Sequence, residues 1–368
     1  MLDLQNFYIL TFNMKNNYKS YIKFLLIIAI SLVCVVQLTS IIIDPYNVFG
    51  ITNFNKRNFP PNTRYLKIEY LANKNEYNAF ILGNSRAYFY NVKSANQLSN
   101  NTYNYYNMAV VRETVKGLTR RVEWLVANKK VKNLILALDY DLVLTKINPL
   151  ELLVQDHPKV TGESWRSFYF KYSLFQPTSL INCIKENLRK EEVYVFDIST
   201  GQIQLPYNNY LMNKDPEKYL KEKFVYPIKI KETVKANDNG IEEIKKIADI
   251  LAKNKIEVTV IINPNNHHNS GRWESESYTK WLKRIVEIFG EVWDFSGFNS
   301  ITTNDKLYYE PNHFNNYVGD LVLSRVFNNK TIVKQIPEDF GFRIIKDNLD
   351  IHMQRIKEEY NQYYRTYK

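Results

Sequence analysis

The spacing of apolar residues divides the chain into three kinds of segment. Residues 24–43 are twenty consecutive residues without a charge, and a helix of that length crosses the roughly 30 Å hydrocarbon core of a bilayer. From residue 63 onward, short apolar runs alternate with segments whose apolar residues recur every three or four positions. The runs predict buried strands and the periodic segments predict amphipathic helices. Neither pattern is kept between residues 144 and 235.

The alternation of these patterns predicts an α/β fold. Strands are predicted at residues 79–82, 102–111, 133–138, 257–262 and 291–295, and helices at residues 63–75, 114–128, 240–253, 275–289 and 314–327. Strands that alternate with helices indicate a mostly parallel sheet covered by helices on both faces. We expect this domain to span residues 63–330. Residues 331–368 are predicted to form a charged tail, with a tyrosine-rich helix from residue 342 that covers the domain or binds a partner.

Two segments interrupt or precede the domain. Residues 44–62 are rich in Asn and Pro and predict a juxtamembrane linker. Residues 144–235 are predicted to be an irregular or helical insertion that covers the site. Aromatic residues in an insertion either pack against one another or, when exposed beside a cleft, stack on sugar rings. Those in question are Trp165, Phe168, Tyr169, Phe170, Tyr172, Phe175, Tyr207, Tyr210 and Tyr226.

The uncharged run at residues 24–43 is interpreted as a single transmembrane anchor. Lys15, Lys19 and Lys23 precede it, so the positive-inside rule predicts that residues 1–23 are cytoplasmic and that the main domain is periplasmic or extracellular. A cleaved signal peptide is the alternative. Its apolar region is normally only 7–15 residues long and ends at a small-residue cleavage site, which fits this run poorly.

Composition narrows the possible partners. The 368-residue chain has a net charge of +11, which favours an anionic lipid surface or cell-surface polymer. Nucleic acid is not expected, because the basic residues are dispersed and no zinc-finger spacing or aromatic RNA-binding motif is present. The two cysteines, Cys34 and Cys183, imply neither a disulfide framework nor a metal site. The adjacent His267 and His268 are predicted to point apart in a solvated loop, so no metal or cofactor is expected.

Residues 78–88, NAFILGNSRAY, carry the first candidate for chemistry. A buried strand ends there, Gly83 permits a sharp turn, and Ser85 and Arg86 follow where ligands bind in open α/β sheets. An ordinary strand-to-loop turn would contain similar residues.

Residues 307–320, LYYEPNHFNNYVGD, carry the second candidate. They place Glu310 and His313 three residues apart, just before the last predicted helix of the domain. A serine nucleophile needs a base to accept its proton, and the base needs a carboxylate to orient it. Ser85, His313 and Glu310 are therefore predicted to form a catalytic triad.

These blocks resemble a known family. GNSR at residues 83–86 and EPNHF at residues 310–314 resemble the two end blocks of SGNH (GDSL-type) hydrolases. With DPY at residues 44–46, YNM at 106–108 and LDY at 138–140, they are similar to a membrane-anchored branch. That branch includes periplasmic alginate-O-acetylation proteins and, more distantly, the D-alanyl-lipoteichoic acid transfer protein. The resemblance covers residues 40–330.

The resemblance implies a three-layer flavodoxin-like fold in which Ser85 attacks an ester and His313 is the base. It also implies acyl transfer to, or removal from, an extracytoplasmic polysaccharide beside a membrane-bound O-acyltransferase. The family's usual carboxylate is Asp, whereas this chain has Glu310, and no GxND block is visible. The oxyanion donors are therefore assigned to the Asn107 side chain and the Ser85 backbone N–H.

Asn84 and Arg86 complete the candidate oxyanion and substrate residues, and Arg86 is expected to order the loop through a carboxylate. The alternative function is a catalytically silent, anchored scaffold. It would bind a cell-surface polymer or a membrane-bound O-acyltransferase.

Overall fold

A six-stranded sheet lies at the centre of the domain. The structure is a computed structural model that describes residues 3–51, 56–144, 148, 150–224, 238–328 and 336–367. The strands are β1 Ala79–Leu82, β2 Tyr105–Asn107, β3 Asn133–Leu138, β4 Val195–Asp197, β5 Gln202–Gln204, β6 Glu257–Ile262, β7 Glu291–Asp294, β8 Tyr308–Glu310, β9 His313–Phe314 and β10 Phe342–Ile345. The central sheet has the order β2-β1-β3-β6-β7-β10, and β4-β5 and β8-β9 form separate hairpins.

The helices are α1 Asp3–Ile43, α2 Thr63–Ala72, α3 Val92–Leu98, α4 Val115–Asn128, α5 Pro158–Thr161, α6 Trp165–Ser173, α7 Pro177–Asn187, α8 Pro206–Lys214, α9 Pro216–Lys223, α10 Asp238–Lys253, α11 His267–Ser270, α12 Ser275–Phe289, α13 Asn316–Val326 and α14 Leu349–Tyr367. A short 3₁₀ helix, Ser85–Phe89, follows β1.

Both faces of the sheet are covered. All neighbouring strands are parallel except β10, which is antiparallel to β7. Along β3, Leu134, Leu136 and Leu138 pack with α4, α10 and α12, while Ile135 and Ala137 pack on the other face with α3 and α13. Alternate side chains of a strand point to opposite faces, so a run buried on both sides is continuously apolar. The prediction of an α/β fold with a mostly parallel sheet is confirmed.

The C-terminal tail differs from the predicted helix at its start. Residues 342–345 form β10, the antiparallel edge strand of the sheet. The helix α14 then packs over the domain, with Ile356 and Tyr360 buried and His352 Nε2 2.8 Å from an Asp294 carboxylate oxygen. FRII at these positions has the apolar, β-branched character of a strand, but the charged residues around it favoured the helical interpretation.

The described residues of the predicted linker, 44–51 and 56–62, contact the insertion and one another. The Asp44 carboxylate accepts hydrogen bonds from the backbone N–H groups of Val48, Phe49 and Gly50, at 2.8–3.0 Å. Tyr46 packs edge-on against Tyr172 in the insertion. The Asn and Pro residues of this segment predicted a juxtamembrane linker; in the structure Asn58 and Asn62 donate side-chain hydrogen bonds to backbone carbonyls of the insertion.

The insertion has structure of its own and contacts the core through buried charges. It contains the β4-β5 hairpin and helices α5 to α9, while residues 225–235, including Tyr226, lie outside the described residues. Arg64 Nη1 lies 3.0 Å from a Glu113 oxygen and 3.2 Å from an oxygen of Asp156 in the insertion. Arg121 pairs with the same two carboxylates, and its Nε is 2.6 Å from Glu113. Buried ion pairs of this kind are costly to break, because the remaining charge is left without a partner.

The helix α1 contains a segment, Tyr18–Ile43, that is long and apolar enough to cross a membrane, with a mean hydropathy of 2.8. Its last turns contact α6 and α7.

Candidate active site

Ser85 begins the 3₁₀ helix at the carboxyl end of β1. The Asn84 side chain accepts a 2.9 Å hydrogen bond from the Arg86 backbone N–H and so caps this turn. A Cβ atom at Gly83 would lie 2.8 Å from the Ala137 carbonyl oxygen of β3. Glycine at this position therefore lets the chain turn closely against the neighbouring strand, which holds Ser85 at the sheet edge.

His313 and Glu310 face each other across the β8-β9 hairpin. His313 Nε2 lies 2.8 Å from Ser85 Oγ, and Nδ1 bonds a Glu310 carboxylate oxygen. The other Glu310 oxygen accepts bonds from the Asn312 backbone N–H at 2.8 Å and from its side-chain amide at 3.0 Å. The structure thus brings the three predicted residues into one hydrogen-bonded series.

The Glu310 carboxylate sets the tautomer of His313. Burial opposes ionisation of Glu310, but the hydrogen bonds from His313 and Asn312 outweigh it and hold its pKa below the ordinary value of 4.5. An ionised carboxylate only accepts hydrogen bonds, so His313 Nδ1 carries the proton. The lone pair of Nε2 is then free to accept a proton from Ser85, as a general base requires.

Arg86 links the candidate triad to the end of the sheet. Its Nε donates a 3.0 Å hydrogen bond to the backbone carbonyl of Asn312, next to His313. Its Nη1 lies 3.0 Å from Asp139 and 3.1 Å from Asp141. Although burial disfavours the charge, the two carboxylates raise the pKa of Arg86. The side chain is buried and fully engaged in these contacts, in agreement with a role in ordering the loop.

Polar residues at the ends of β3 and β6 hold the carboxylate that binds Arg86. They were not identified as site residues from the sequence. Asn263 and Asn265 donate 2.8 and 3.0 Å hydrogen bonds to the two oxygens of Asp139. Tyr90 donates to Asn263. The signal that would have found them is their position, since each polar group follows a buried strand at the edge where parallel strands present their carboxyl ends.

Asn107 lies on the inner side of the turn. Its amide nitrogen donates to the carbonyls of Ala87, at 2.7 Å, and Tyr90, at 3.4 Å, and its oxygen accepts from Ala109 N–H. The side chain therefore supports the turn that carries Ser85, and its service as an oxyanion donor stays a prediction. Within the described part of the chain, the Ser85 backbone N–H and the Asn84 Nδ2 make no hydrogen bond, so both remain available to a ligand.

A cleft of about 210 Å³ opens beside Ser85 and His313. Its remaining walls are almost entirely apolar and come from the segment before α2, the turn after β1 and the insertion. They are Pro60, Pro61, Thr63, Tyr88, Phe89, Val111, Leu153, Tyr194, Ile203 and Leu205. The insertion thus lines the site, and no cluster of exposed sugar-stacking rings occurs among these residues.

The prediction for the two adjacent histidines is wrong. His267 and His268 do not point apart, because their Nε2 atoms lie 3.2 and 3.3 Å from the two oxygens of Asp305. The short helix α11 turns both rings to one side, and His267 is buried rather than solvated. These hydrogen bonds outweigh burial and lower the pKa of Asp305. Two imidazoles and a carboxylate are ligands that Zn²⁺ accepts. Hydrogen bonds from the two histidines to the two oxygens of Asp305 explain the same geometry without a metal.

Comparison with known proteins adds little to this geometry. No protein-family model and no curated protein matches the chain. A solved structure from Streptococcus pneumonia, provisionally described as a platelet activating factor, aligns over 72% of this chain and 90% of its own with 10% identity and a TM-score of 0.32. A similarity of that size does not establish a common fold or activity.

Proposed function

We propose that this protein is a serine-dependent acyltransferase or carboxylic ester hydrolase of the SGNH type, in which Ser85 is the nucleophile. The observation that carries the proposal is the series Glu310–His313–Ser85, with 2.8 Å between the His313 Nε2 and Ser85 Oγ atoms, at the mouth of a cleft. A second support is the sheet order, because β2-β1-β3-β6-β7 follows the flavodoxin-like pattern. Ligands of such sheets bind where the strand order reverses, between β1 and β3.

The reaction begins when Ser85 Oγ attacks the carbonyl carbon of an ester while His313 Nε2 takes its proton. The carbonyl oxygen becomes an oxyanion, for which the Ser85 N–H and Asn84 Nδ2 are the nearest available donors. The ester C–O bond then breaks, and His313 returns the proton to the leaving alcohol. Water or an acceptor hydroxyl attacks the resulting acyl-serine and gives its proton to His313. The bond between the acyl carbon and Ser85 Oγ then breaks, and His313 returns the proton to Oγ.

Location and acceptor follow from α1 and from the resemblance of the motifs. In this proposal Tyr18–Ile43 anchors the chain in a membrane with the catalytic domain outside the cytoplasm. The acceptor or substrate is an extracytoplasmic polysaccharide, and a membrane-bound O-acyltransferase supplies the acyl group in the transfer direction. The uncharged run and the lysines before it support the anchor and its orientation, and the resemblance of the motifs supports the acceptor and the partner.

Fluorophosphonate labelling of the full chain in detergent tests the proposal. We expect Ser85 to be labelled, and Ser85→Ala to abolish both labelling and ester hydrolysis. His313→Ala should leave the serine present but slow its labelling by at least 10²-fold, because general-base catalysis contributes about that much. A folded protein that is not labelled, yet binds polymer equally well with and without Ser85→Ala, would instead favour the catalytically silent scaffold.

A further inference from the structure

The cleft beside Ser85 is lined mostly by apolar atoms. The hydroxyls of Thr63 and Tyr88 form a 3.2 Å hydrogen bond, so each is a polar partner for the other. Ser85, His313 and the Tyr194 hydroxyl supply the other polar side-chain atoms, and the remaining wall residues are aliphatic, proline or aromatic. A carbohydrate would leave its hydroxyl groups without hydrogen bonds in such a place, and each such group is costly.

The size of the cleft sets the length of an apolar occupant. A cavity of about 150 Å³ holds the six carbons of benzene, so the 210 Å³ here has room for roughly six to eight carbons on the same scale. An acetyl group has two carbons and would leave most of the apolar surface exposed to water. The walls are therefore suited to a longer chain attached to the reacting carbonyl.

We propose that this cleft binds the acyl chain of the substrate and that the preferred acyl group has about six to eight carbons rather than the two of acetyl. This inference rests on the proposed function, since it assigns the acyl side of the bond that Ser85 attacks. The acceptor or leaving alcohol then lies outside the cleft. Burial of a methylene contributes about a fourfold preference, so four additional methylenes predict a preference on the order of 100-fold.

Chain-length specificity tests this inference. The kcat/KM of the full chain in lipid nanodiscs is measured with p-nitrophenyl acetate, butyrate, hexanoate and octanoate. We expect hexanoate and octanoate to exceed acetate by on the order of 100-fold. Leu205→Trp and Leu153→Trp, at two partly buried wall positions, should reduce the hexanoate value at least tenfold and lower the ratio of the hexanoate to the acetate value.

The matched control is Leu150→Trp, because Leu150 is 81% exposed and does not line the cleft. It should alter neither substrate. Ser85-dependent turnover that is fastest with acetate, and unchanged in both wall variants, would overturn the acyl-chain assignment and keep the proposed function. If Ser85→Ala has no effect on the turnover of any ester, both fail together.

A separate observation concerns the outer surface of α6, α7 and the residues that flank them. The exposed face of α7 carries Ile181, Ile184 and, just beyond its end, Leu188, which are 64%, 42% and 78% exposed. Their spacing of three and four residues makes one continuous stripe, while Leu180 and Cys183 on the other side are buried. Phe170, Leu174 and Phe175 extend the exposed apolar surface. We call this set of six side chains the α7 surface.

The position and charge of the α7 surface favour a lipid bilayer over a protein partner. Tyr46, three residues after α1, has its hydroxyl 2.9 Å from Ser179 Oγ in α7, and Ser40 in the last turns of α1 is buried. A bilayer around the apolar part of α1 would thus end beside α7. Lys171 and Arg189 in this region pair with Glu163 and Glu186, whereas Arg166, Lys185 and Lys190 form no ion pair with the described residues. Apolar side chains flanked by basic ones are typical of helices that lie in a membrane interface.

We infer that the α7 surface inserts into the headgroup region of the bilayer that α1 spans. The test uses spin labels at Ile181→Cys and Leu188→Cys in full chain carrying Cys34→Ala, reconstituted in nanodiscs with anionic lipid. Ile351→Cys in α14, where Ile351 is 76% exposed, is the control. We expect labels at 181 and 188 to be more accessible to oxygen, and less to a water-soluble nickel complex, than the label at 351.

Two results would overturn the inference. Equal accessibility to the nickel complex at 181 and 351 would mean that the surface faces water. Low accessibility to both reagents at 181 would mean that a protein, either a second copy or a partner, covers it.

Discussion

Replacement of Arg86 by lysine tests whether its guanidinium positions the base. Lysine keeps the charge, but one ammonium group cannot replace the Nε bond to the Asn312 carbonyl and both contacts with Asp139 and Asp141. A buried group left without its partner costs about 1–3 kcal/mol, and Asp141 is partly exposed, so its share is small. We expect a loss of about 2–4 kcal/mol in the free energy of unfolding, or roughly 5–10 °C in Tm.

The same substitution should also slow the reaction. Without the Arg86 bond, the peptide before His313 is held by its remaining hydrogen bonds with Asn269 and Glu310 and loses its direct link to the turn that carries Ser85. A displacement of about 1 Å at a reacting group costs about 100-fold in rate. The assay measures kcat/KM for a soluble ester. The temperature is kept about 15 °C below the Tm of each variant, a margin larger than the expected shift in Tm, so that every variant stays folded. KM should change less than kcat, because Arg86 does not line the cleft.

Arg121→Lys is the matched control. Arg121 is also buried and bound to two carboxylates, those of Glu113 and Asp156, but it does not contact the loop that carries His313. It should lose a similar amount of stability and keep its rate. If both variants lose rate equally, or if Arg86→Lys loses stability and keeps its full kcat, Arg86 has no positioning role.

Three further predictions concern the triad, the C-terminal helix and the packing behind the turn. Glu310→Asp withdraws the carboxylate from His313 by one methylene and should lower kcat/KM about 10–100-fold. Glu310→Gln should lower it further, by about 10⁴-fold, which is the effect of the equivalent substitution in serine proteases. Equal activity of the Glu310→Asp variant and the unmodified protein would contradict the geometry. Burial opposes ionisation of Asp294, but the bond from His352 holds its pKa below 3.8. Its stabilisation is therefore complete above that pH and lost as pH falls through the lower folded value, so His352→Gln should move the acid unfolding midpoint upward in a circular dichroism titration. A Cβ at Gly319 would lie 2.1 Å from a backbone carbonyl oxygen of the 3₁₀ helix, so Gly319→Ala should cost about 1–3 kcal/mol in chemical denaturation, and an unchanged midpoint would refute the close approach.

Local patterns in the sequence determined most of the central sheet. The strands at residues 79–82, 133–138 and 257–262 were predicted with the bounds that the structure has, because each is a continuous apolar run between polar turns. The second strand was predicted as ten residues and has three, Tyr105–Asn107. Beyond it, the buried Met108 and Val110 still donate backbone hydrogen bonds to the carbonyls of Ile81 and Gly83, at 2.8 and 3.2 Å, outside the strand itself. A pattern of hydrophobicity does not show where regular strand pairing ends.

The site residues that the sequence did not bring together are joined by contacts between residues distant in sequence. The role of Asp139 depends on its contacts with Arg86 and Asn263. The three residues follow three different strands of the sheet. The convergence of His267 and His268 depends on Asp305, almost forty residues later. By contrast, Glu310 and His313 are close in sequence, so local spacing was enough to pair them.

Ser85 and His313 are far apart in the sequence, and this separation determines when the candidate site can form during synthesis. The two residues are 228 positions apart, and the base belongs to a hairpin that follows the whole insertion and every strand of the central sheet except β10. During synthesis, which proceeds at roughly 5–20 residues per second, the serine leaves the ribosome well before its base exists. Its hydroxyl is then an ordinary alcohol, because nothing accepts its proton. In the proposed function, nucleophilic reactivity therefore appears only in a completed molecule, and it reports full assembly without any separate activation step.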